Sequence, residues 1–265
     1  MNDLMERKLS DPLVGQQLGD YEIRDLLGRG GMARVYRGYD ARLDRFAAVK
    51  VIDTQTLQIH EEQEYRQRFR REARAIAHLS HPNIVGVYQF GEVDNLYYMA
   101  MHFIDGRNLG QILREHAQAQ TRMPYGQTLR IARDIALALD HAHHNGVIHR
   151  DIKPSNIMVE ASGRAILTDF GLALSVPEGS IGNTFGSAHY IAPEQALASN
   201  NAVPQSDLYS LCVVIYQMLA GKVPFDDPSA MSVVLRHLHE PPPSPGLYNP
   251  ELGLEIEQAL MQGMH

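Results

Sequence analysis

The run His149–Asn156 constrains this 265-residue chain more than any other segment. It places a carboxylate (Asp151), a cation (Lys153) and an amide (Asn156) within one short loop. A second carboxylate follows downstream in Asp169-Phe170-Gly171, directly after a short apolar stretch. Together these groups can accept a proton, neutralise an anion and offer oxygen ligands to a divalent cation. The chain must therefore fold so that one tight loop and one strand end present their side chains to the same reactants.

Composition excludes several classes of protein. The formal net charge of −7 argues against a nucleic-acid binder, because such proteins carry an excess of Lys and Arg. Cys212 is the only cysteine, so neither an intrachain disulfide nor a cysteine zinc site can form, and its apolar neighbours predict a buried core thiol. The apolar run around Cys212 is too short to cross a bilayer, and residues 1–8 do not resemble a signal peptide. We therefore expect a cytoplasmic chain, with a membrane segment beyond residue 265 left open.

The hydrophobic periodicity changes along the chain from strand-like to helical. Short alternating runs dominate as far as about residue 103, interrupted by one amphipathic helix over 61–79. Helical patterns dominate after residue 106. Strands first and helices afterwards predict an α+β chain with two unlike lobes. The domain boundaries that we expect are a tail over 1–20, a first lobe over 21–101, a hinge over 102–105 and a second lobe over 106–265.

Individual elements follow from the same patterns. Phe69, Ala73, Ile76 and Leu79 recur at spacings of three and four, which predicts the buried face of the 61–79 helix. The other expected elements are strands over 84–90, 96–103, 157–159 and 165–167, and helices over 109–119, 126–143, 206–221, 228–239 and 251–263. The three histidines His141, His143 and His144 fit a polar helix end better than a metal site.

A glycine-rich turn lies in the segment Leu27–Val35, between two predicted strands. Glycines let backbone N–H groups approach a phosphate without an intervening Cβ, but an ordinary hairpin turn explains the isolated motif equally well. A dinucleotide site would require a helix directly after the glycines. Because Val35-Tyr36-Arg37 alternates as a strand, that alternative is poor.

Taken in order, the motifs resemble bacterial Hanks-type (eukaryotic-like) serine/threonine protein kinases from residue 21 to about residue 262. The wording that carries the resemblance is Gly30–Tyr36, Ala48-Val49-Lys50, His81–Val85, His149–Asn156, Asp169-Phe170-Gly171, Pro193-Glu194-Gln195 and Ser206–Ser210. The resemblance implies a two-lobed protein kinase fold, with a β-rich N-lobe containing one main helix, a larger helical C-lobe and an ATP cleft between them. Lys153 followed by Pro154 resembles the serine/threonine branch of the family.

The resemblance also implies roles for the polar residues. Asp151 would accept the proton of the attacking hydroxyl, and Lys153 would lie on the γ-phosphate. Lys50 would bridge Glu72 and the α- and β-phosphates. Asn156 and Asp169 would bind magnesium, for which manganese could substitute.

For the nucleotide, the resemblance puts Met101 at the gatekeeper position and assigns adenine contacts to the backbone of His102 and Ile104. His102 departs from the Glu common there, with little expected effect on a backbone contact. The full set of ATP-binding residues implied is Leu27, Gly28, Arg29, Gly30, Gly31, Met32, Ala33, Arg34, Val35, Ala48, Lys50, His102, Ile104 and Met158.

The segment Leu172–Tyr190 resembles an activation loop. Thr184 and Ser180 are the candidate phosphoacceptors, with Ser175 behind them, and Arg150 is the expected partner of such a phosphate. Ser187 stands where the family usually has a Thr that contacts the catalytic loop, and we expect a structural role for it. The alternative for all these hydroxyls is plain solvation of a loop.

Two further carboxylates are expected to support the site. Asp207 would accept backbone hydrogen bonds from the catalytic loop, although a residue at that position can also cap a helix. Glu194 normally pairs with an Arg on a last helix, and the chain reaches His265 without that helix. We therefore expect a C-lobe truncated before the last helix, with Glu194 unpaired and apolar surface of the 251–263 helix exposed.

The sequence thus predicts an ATP- and magnesium-dependent serine/threonine protein kinase, activated by phosphorylation of its 172–191 loop. Its partners would be protein substrates and a second copy of the kinase for autophosphorylation. Two alternatives are weaker. A non-catalytic kinase-like scaffold usually lacks one of the catalytic residues, yet Lys50, Glu72, Asp151, Asn156 and Asp169 are all present. A small-molecule kinase would not need the long 172–191 segment.

Overall fold

The structure is a computed structural model that describes residues 11–29, 33–53, 59–93, 96–170, 187–198 and 201–265, without the side chains of 53, 59–65 and 68. These residues form two compact units. The first unit is drawn from residues 1–80 and 85–104, and the second from 81–84 and 105–265. No helix within the described ranges is both long and apolar enough to span a bilayer.

The first unit is built on a six-stranded antiparallel sheet in the order β1-β2-β3-β4-β6-β5. Its elements are β1 (Gln17–Leu18), β2 (Tyr21–Arg29), β3 (Ala33–Asp40), β4 (Arg45–Asp53), α1 (Ile59–Ala77), β5 (Val87–Val93) and β6 (Leu96–His102). Strands alternate their side chains between two faces, and one face of β2, β3 and β4 packs into a core containing Ile23, Tyr36 and Val49. The buried stripe predicted for α1 is confirmed, since Phe69, Ala73 and Ile76 are each less than 5% exposed.

The expected N-terminal tail is wrong for residues 11–20. β1 pairs with β2, the N–H of Gly15 donates to the carbonyl of Ile23 at 2.8 Å, and Leu13 and Leu18 are buried in the sheet core. The segment has only two large apolar residues in the core, so local periodicity gave no strand signal. Its order comes from pairing with β2, which a local pattern cannot show. Residues 1–10 lie outside the described residues.

The second unit combines a small sheet with packed helices. β7 (Gly106–Asn108), β8 (Ile157–Glu160) and β9 (Ala165–Leu167) form a three-stranded antiparallel sheet. The helices are α2 (Leu109–Gln118), α3 (Tyr125–His144), α4 (Pro193–Leu197), α5 (Pro204–Ala220), α6 (Ala230–His239) and α7 (Leu254–Gly263). Short 3-10 turns cover Pro154–Asn156, Ala188–Tyr190 and Pro245–Leu247. β7 was not predicted, because three residues with no apolar alternation carry no strand pattern.

Helix α5 is the centre of the second unit. Val213, Tyr216 and Leu219 on this helix pack with Leu260 of α7 in one buried cluster. Cys212 is partly buried beside that cluster, as expected, and burial raises the pKa of its thiol to about 11. The thiol is therefore protonated at neutral pH and behaves as a core side chain. Because α5 is fixed on several sides, it is a rigid support for whatever its N-terminal end holds.

The predicted N-lobe was also wrong over 81–84. The side-chain amide of Asn83 donates to the carbonyl of Ala165 at 2.8 Å, and the N–H of Leu167 donates to the carbonyl of Asn83 at 2.8 Å. His81 stacks on His141 with ring centroids 5.3 Å apart. These contacts place 81–84 in the second unit. The chain therefore enters the second unit briefly before returning to the sheet of the first, which a strictly linear division cannot represent.

Candidate active site

Asp207 holds the loop that begins at His149. It lies in the first turn of α5, is 1% exposed, and accepts the N–H of His149 on Oδ2 and that of Arg150 on Oδ1, both at 2.8 Å. His143 Nε2 makes a third contact with Oδ2 at 2.8 Å. The backbone bonds expected of Asp207 are therefore present. Its carboxylate is directed to the loop and to His143, and the helix end is instead capped by Ser206, whose Oγ accepts the N–H of Val203 at 3.0 Å.

The expectation for His143 was incomplete. A polar helix end describes its neighbour His144, which is exposed, but His143 has only 13% of its side chain exposed and is bound to Asp207. The position of His143 on the last turn of α3, directly before the loop, indicated that it lies near the site. Its partner could not be identified from that helix end, because the carboxylate of Asp207 is 64 residues away in the sequence.

His149 connects the two ends of the site. The ring is fully buried, Nδ1 accepts the N–H of Asp151 at 3.2 Å, and Nε2 bonds the carbonyl of Thr168 at 2.8 Å. A carbonyl can only accept, so Nε2 carries the proton and the imidazole is the neutral tautomer. Its ring also contacts Phe170, with centroids 4.6 Å apart. One side chain thereby links the residue bearing the first carboxylate to the strand end that bears the second, Asp169.

Asp151 lies at the centre of a hydrogen-bonded cluster. Oδ2 contacts Lys153 Nζ at 2.8 Å and accepts from Asn156 Nδ2 at 3.0 Å. Oδ1 accepts from the hydroxyl of Ser187 at 3.2 Å. Asn156 Nδ2 also donates to the Asp151 carbonyl at 2.8 Å. A cation and two neutral donors therefore hold both oxygens of this carboxylate in one orientation.

Ser187 joins the two charged groups of this cluster. Its hydroxyl accepts from Lys153 Nζ at 2.8 Å while donating to Asp151 Oδ1. The contact between Ser187 and the catalytic loop that the sequence predicted is therefore present. A hydroxyl with one donor and two acceptor positions is the simplest group that can bridge an ammonium and a carboxylate in this way.

The turn that bears Ser187 is anchored to α5 and α6. His237 of α6 is 4% exposed, its Nε2 bonds the carbonyl of His189 at 3.1 Å, and its Nδ1 accepts the hydroxyl of Tyr209 at 2.7 Å. The hydroxyl of Ser210 donates to the carbonyl of Tyr190 at 2.6 Å. Burial lowers the pKa of His237 to about 4, so its imidazole is neutral at pH 7. None of these three anchoring side chains was singled out from sequence.

Two residues of the site have backbone conformations that are unusual for side chains with a Cβ. Arg150 has φ +68° and Asp169 has φ +60°, both in the left-handed region. Such a conformation costs about 1–2 kcal/mol for a non-glycine residue. At Arg150 the cost is offset by Asp207, which binds its N–H, and by Gln195, whose Nε2 donates to its carbonyl at 3.0 Å. The surrounding contacts thus impose the backbone conformation at this loop.

Glu194 is not left without a partner, contrary to expectation. The hydroxyl of Ser206 donates to Glu194 Oε1 in a short hydrogen bond. Exposed apolar surface was expected on the last helix, and Leu254 at its start is 67% exposed, whereas Leu260 is buried. Ser206 was not predicted as the partner, because an arginine was expected at Glu194 and the hydroxyl comes instead from the first turn of α5.

In the first unit, three of the residues assigned to ATP, Val35, Ala48 and Lys50, share one face of the sheet. Cross-strand partners point to the same side, and the register pairs Val35 with Lys50 and Lys50 with Met99. Two residues away on that face, Ala48 pairs with Met101. The opposite face is the buried core. Glu72, on α1 in the same unit, is partly buried next to Ala73.

The strand that follows the glycines is confirmed, because β2 and β3 pair from Arg29 and Arg34 outward as an antiparallel hairpin. This excludes the helix that a dinucleotide site would need. The guanidinium groups of Arg29 and Arg34 are turned to Asp11, with N–O distances of 3.3 and 3.8 Å. Both side chains are therefore engaged with Asp11, and a phosphate contact of this segment stays a prediction.

Backbone hydrogen bonds at the end of β6 show which of the expected adenine-binding groups are already engaged. The N–H of His102 donates to the carbonyl of Gly86 at 2.8 Å, so it is engaged within the sheet. The N–H of Ile104 has no backbone partner among the described residues. Met158, which was also predicted to bind ATP, lies in β8 of the second unit and is partly buried. Several predicted residues lie outside the described ranges, namely Gly30, Gly31, Met32, Ser175, Ser180 and Thr184.

Comparisons with known proteins agree with this geometry. The family model described as "Protein kinase domain" matches residues 21–245. The serine/threonine-protein kinase PrkC of Bacillus subtilis is 38% identical over 254 residues, which cover 94% of this chain and 38% of the relative. The serine/threonine-protein kinase PksC of Streptomyces coelicolor is 40% identical over 255 residues, covering 93% of this chain and 45% of the relative. The chain thus spans less than half the length of these curated relatives.

A solved structure gives the same result. The kinase domain of Mycobacterium tuberculosis PknI superposes with a TM-score of 0.74 at 27% identity, covering 95% of this chain and 89% of that one. The family implies use of ATP and a divalent metal and protein substrates. The match extends over both units, from the strand before the glycines to the residues after α6. The chain therefore belongs to the protein kinase domain family.

Proposed function

We propose that this chain catalyses transfer of the γ-phosphoryl group of ATP to serine and threonine hydroxyls of proteins, with Mg²⁺ bound to the nucleotide. The observation that carries the proposal is the cluster around Asp151, in which one carboxylate contacts Lys153, Asn156 and Ser187. Bound nucleotide with its metal supplies the phosphoryl group and an electrophilic phosphorus. The chain's own residues position the hydroxyl, accept its proton and balance the charge.

Asp151 is the proposed proton acceptor. Its carboxylate is fixed on both oxygens and its backbone N–H is bound to His149, so it can orient a hydroxyl with little loss of entropy on binding. Lys153 Nζ lies 2.8 Å from the same carboxylate, so it supplies a positive charge where the γ-phosphate must approach the negative charge of Asp151. The hydroxyl of Ser187 holds Asp151 and Lys153 in fixed positions relative to each other. This arrangement fits a transfer in which most of the catalysis is positioning and charge stabilisation.

The residues present also fit a magnesium ion. Asn156 turns its Nδ2 to Asp151, which leaves its carbonyl Oδ1 as the group that can ligate a hard cation. The N–H and hydroxyl of Thr168 both donate to the Asn156 carbonyl, at 2.9 and 3.1 Å, and so tie this residue to the neighbour of Asp169. No group of three or more His, Cys, Asp or Glu side chains among the described residues is arranged to hold a metal ion. A magnesium ion here would be held by one or two protein oxygens together with the phosphates of the nucleotide.

For the nucleotide, we propose that the sheet face bearing Val35, Ala48 and Lys50 supplies contacts to the base and phosphates. The apolar residues of this face suit a purine ring. Lys50 lies on the same face, and the family resemblance gives it the role of binding phosphates. The N–H of Ile104 is the proposed donor to the adenine edge. Leu27, Gly28, Ala33 and Met158 complete the proposed set, and Glu72 is proposed to hold Lys50.

Activation by phosphorylation of the 172–191 loop is part of the proposal. Arg150 is partly buried, and its Nε has no hydrogen-bond partner among the described residues. A buried guanidinium N–H without a partner is costly, and a phosphate would satisfy it with charge-assisted bonds. Thr184, Ser180 and Ser175 remain the proposed acceptors, with a second copy of the kinase as the proposed donor.

The activity is tested with purified chain, radiolabelled ATP, Mg²⁺ and a generic protein substrate. Asp151→Asn should lower kcat by about 10²–10⁴-fold, the usual contribution of a general base. Asp140→Asn is the matched control, since Asp140 is an exposed carboxylate of α3 with 69% of its side chain accessible. Equal phosphate transfer by wild type and Asp151→Asn would refute the assignment. Nucleotide binding without any transfer would instead favour the scaffold alternative, which the curated kinase relatives do not support.

A further inference from the structure

Asp11 joins the two strands that flank the glycine-rich segment. Its Oδ2 accepts from Arg29 Nη2 at 3.3 Å, and Arg29 is the last residue of β2. Its Oδ1 accepts from the hydroxyl of Tyr36 in β3 at 2.9 Å and lies 3.8 Å from Arg34 Nη1. The N–H of Leu13 adds a fourth contact at 3.2 Å. One carboxylate is therefore bound to both strands at the place where their pairing ends.

Asp11 is buried, whereas the two arginines that it contacts are not. Only 5% of its side chain is exposed, whereas the side chains of Arg29 and Arg34 are 65% and 39% exposed. A buried carboxylate requires its partners, because leaving it unpaired costs several kcal/mol. The two arginines, by contrast, would be solvated without it. The carboxylate is therefore the member of the group that determines where the two strand ends lie.

The hydrogen-bond ladder between β2 and β3 is irregular near the glycine-rich segment. The pairing of β2 with β3 shifts register twice, between Ile23 and Asp25 and between Leu26 and Gly28. Such irregularities interrupt the ladder and bend the strand. The end of β3 is also paired with β4, Arg34 with Val51 and Val35 with Lys50. The end of β2 beyond the second shift, Gly28–Arg29, pairs with β3 alone and therefore gains most from contacts outside the ladder. Asp11 supplies them from a segment that comes before the first strand of the family match.

We propose that Asp11 is a positioning residue for nucleotide binding: it holds the ends of β2 and β3 at the separation that the phosphates of ATP require. The inference rests on the proposed function for its catalytic consequence. It gives the described segment before residue 21 a role in nucleotide binding that requires no direct contact between Asp11 and the nucleotide. It also means that the side chains of Arg29 and Arg34 stabilise the strand ends through Asp11 and do not bind the nucleotide.

The test compares Asp11→Asn with wild type in two measurements. Steady-state kinetics should show KM for MgATP raised about fivefold, with kcat changed less than about twofold, because ground-state binding is affected and the chemistry is not. Hydrogen exchange of the amides in 26–29 and 33–36 should be about tenfold faster. Tyr36→Phe, which removes one bond without a charge, should shift both quantities in the same direction by less.

Asp40→Asn is the matched control. Asp40 is a 1% exposed carboxylate at the other end of β3, where it accepts the N–H groups of Arg42 and Leu43 at 3.0 and 3.3 Å. Its loss should lower stability and leave KM for MgATP unchanged. If Asp40→Asn raises KM as much as Asp11→Asn, the effect is general destabilisation and the proposal fails. A lower KM in Asp11→Asn also overturns it, since the released arginines would then bind phosphate themselves.

The two proposals fail separately. A wild-type chain that neither transfers phosphate nor binds Mg·ADP would overturn the proposed function and the nucleotide role of Asp11 with it. Hydrogen exchange would still report whether Asp11 holds the two strands. Unchanged exchange in both Asp11→Asn and Tyr36→Phe would overturn the positioning role even in an active kinase.

Discussion

Ser187 shows how much a single hydroxyl can organise. It is the only described side chain that contacts both Asp151 and Lys153 across the loop, accepting from one and donating to the other. Ser187→Ala should leave the two charged groups in direct contact but free to rotate, and should lower kcat about tenfold, equivalent to about 1.4 kcal/mol in the transition state. Ser187→Thr keeps the hydroxyl and should retain most of the activity. Equal kcat for the Ala and Thr variants would contradict the bridging role.

His237 makes stability depend on pH. Its pKa is lowered to about 4 in the folded chain, against about 6.5 when unfolded, because burial disfavours the charged imidazole. The unfolded chain therefore binds the extra proton first, and stability is lost as the pH falls from about 6.5 towards 4. The loss amounts to about 3 kcal/mol. At pH 7 and above this contribution is fully present.

Urea denaturation at pH 7.5, 6 and 5 measures that dependence. His237→Gln removes the titrating group while retaining polar atoms for Tyr209 and the His189 carbonyl. The variant should be less stable than wild type at pH 7.5, and its stability should fall less steeply between pH 6.5 and 5. Parallel curves for the two proteins would assign the pH dependence to other groups.

At the scale of elements, the end of α5 and the catalytic loop act as one part. Asp207→Ala would leave the N–H groups of His149 and Arg150 without their acceptor in a buried place. We expect a stability loss of about 3 kcal/mol, together with a large fall in kcat. Asp134→Ala is the comparison, since this carboxylate of α3 binds a single backbone N–H, that of Ala165, at 2.9 Å. It should cost stability alone, as measured by denaturation and kinetics on the same samples.

The contact between α5 and α7 depends on the absence of a side chain. A Cβ at Gly263 would overlap Cys212 Sγ, so Gly263→Ala should destabilise the chain by about 1–3 kcal/mol although alanine favours helices. In a Cys212→Ala background the same change should be neutral or stabilising. A double-mutant cycle followed by thermal denaturation measures this coupling. Additive effects would show that the two positions do not meet.

The elements also show where sequence reasoning succeeded. α1 and α3 were predicted within about two residues because each has a clear apolar period, and β9 was predicted from its short run of apolar residues. The contacts of Asp207 and Ser187 followed from their place in recognised motifs. Asp11, His143 and the short strand β7 were not predicted in their roles. The role of each depends on a partner that is far away in the sequence, so the neighbouring residues contain no pattern that predicts this role.

At the scale of the whole molecule, nucleotide binding should raise the stability of the folded chain. A ligand that binds only the folded chain stabilises it by about 2.7 kcal/mol at a hundred times its Kd. Mg·ADP should therefore raise the melting temperature of wild type, and EDTA should remove the magnesium-dependent part of the shift. Asp169→Asn should melt at the same temperature with and without Mg²⁺ in the presence of ADP. A full magnesium-dependent shift in this variant would remove Asp169 from the metal site.

The left-handed conformations of Arg150 and Asp169 have a consequence for how such a chain can evolve. Glycine or asparagine would adopt the same backbone at lower cost, so selection for stability alone should replace both residues within a few rounds. Selection for phosphate transfer should preserve Asp169 and tolerate change at Arg150 only when loop phosphorylation is no longer required. Deep mutational scanning under the two selections would therefore separate, position by position, what the fold prefers from what the chemistry demands.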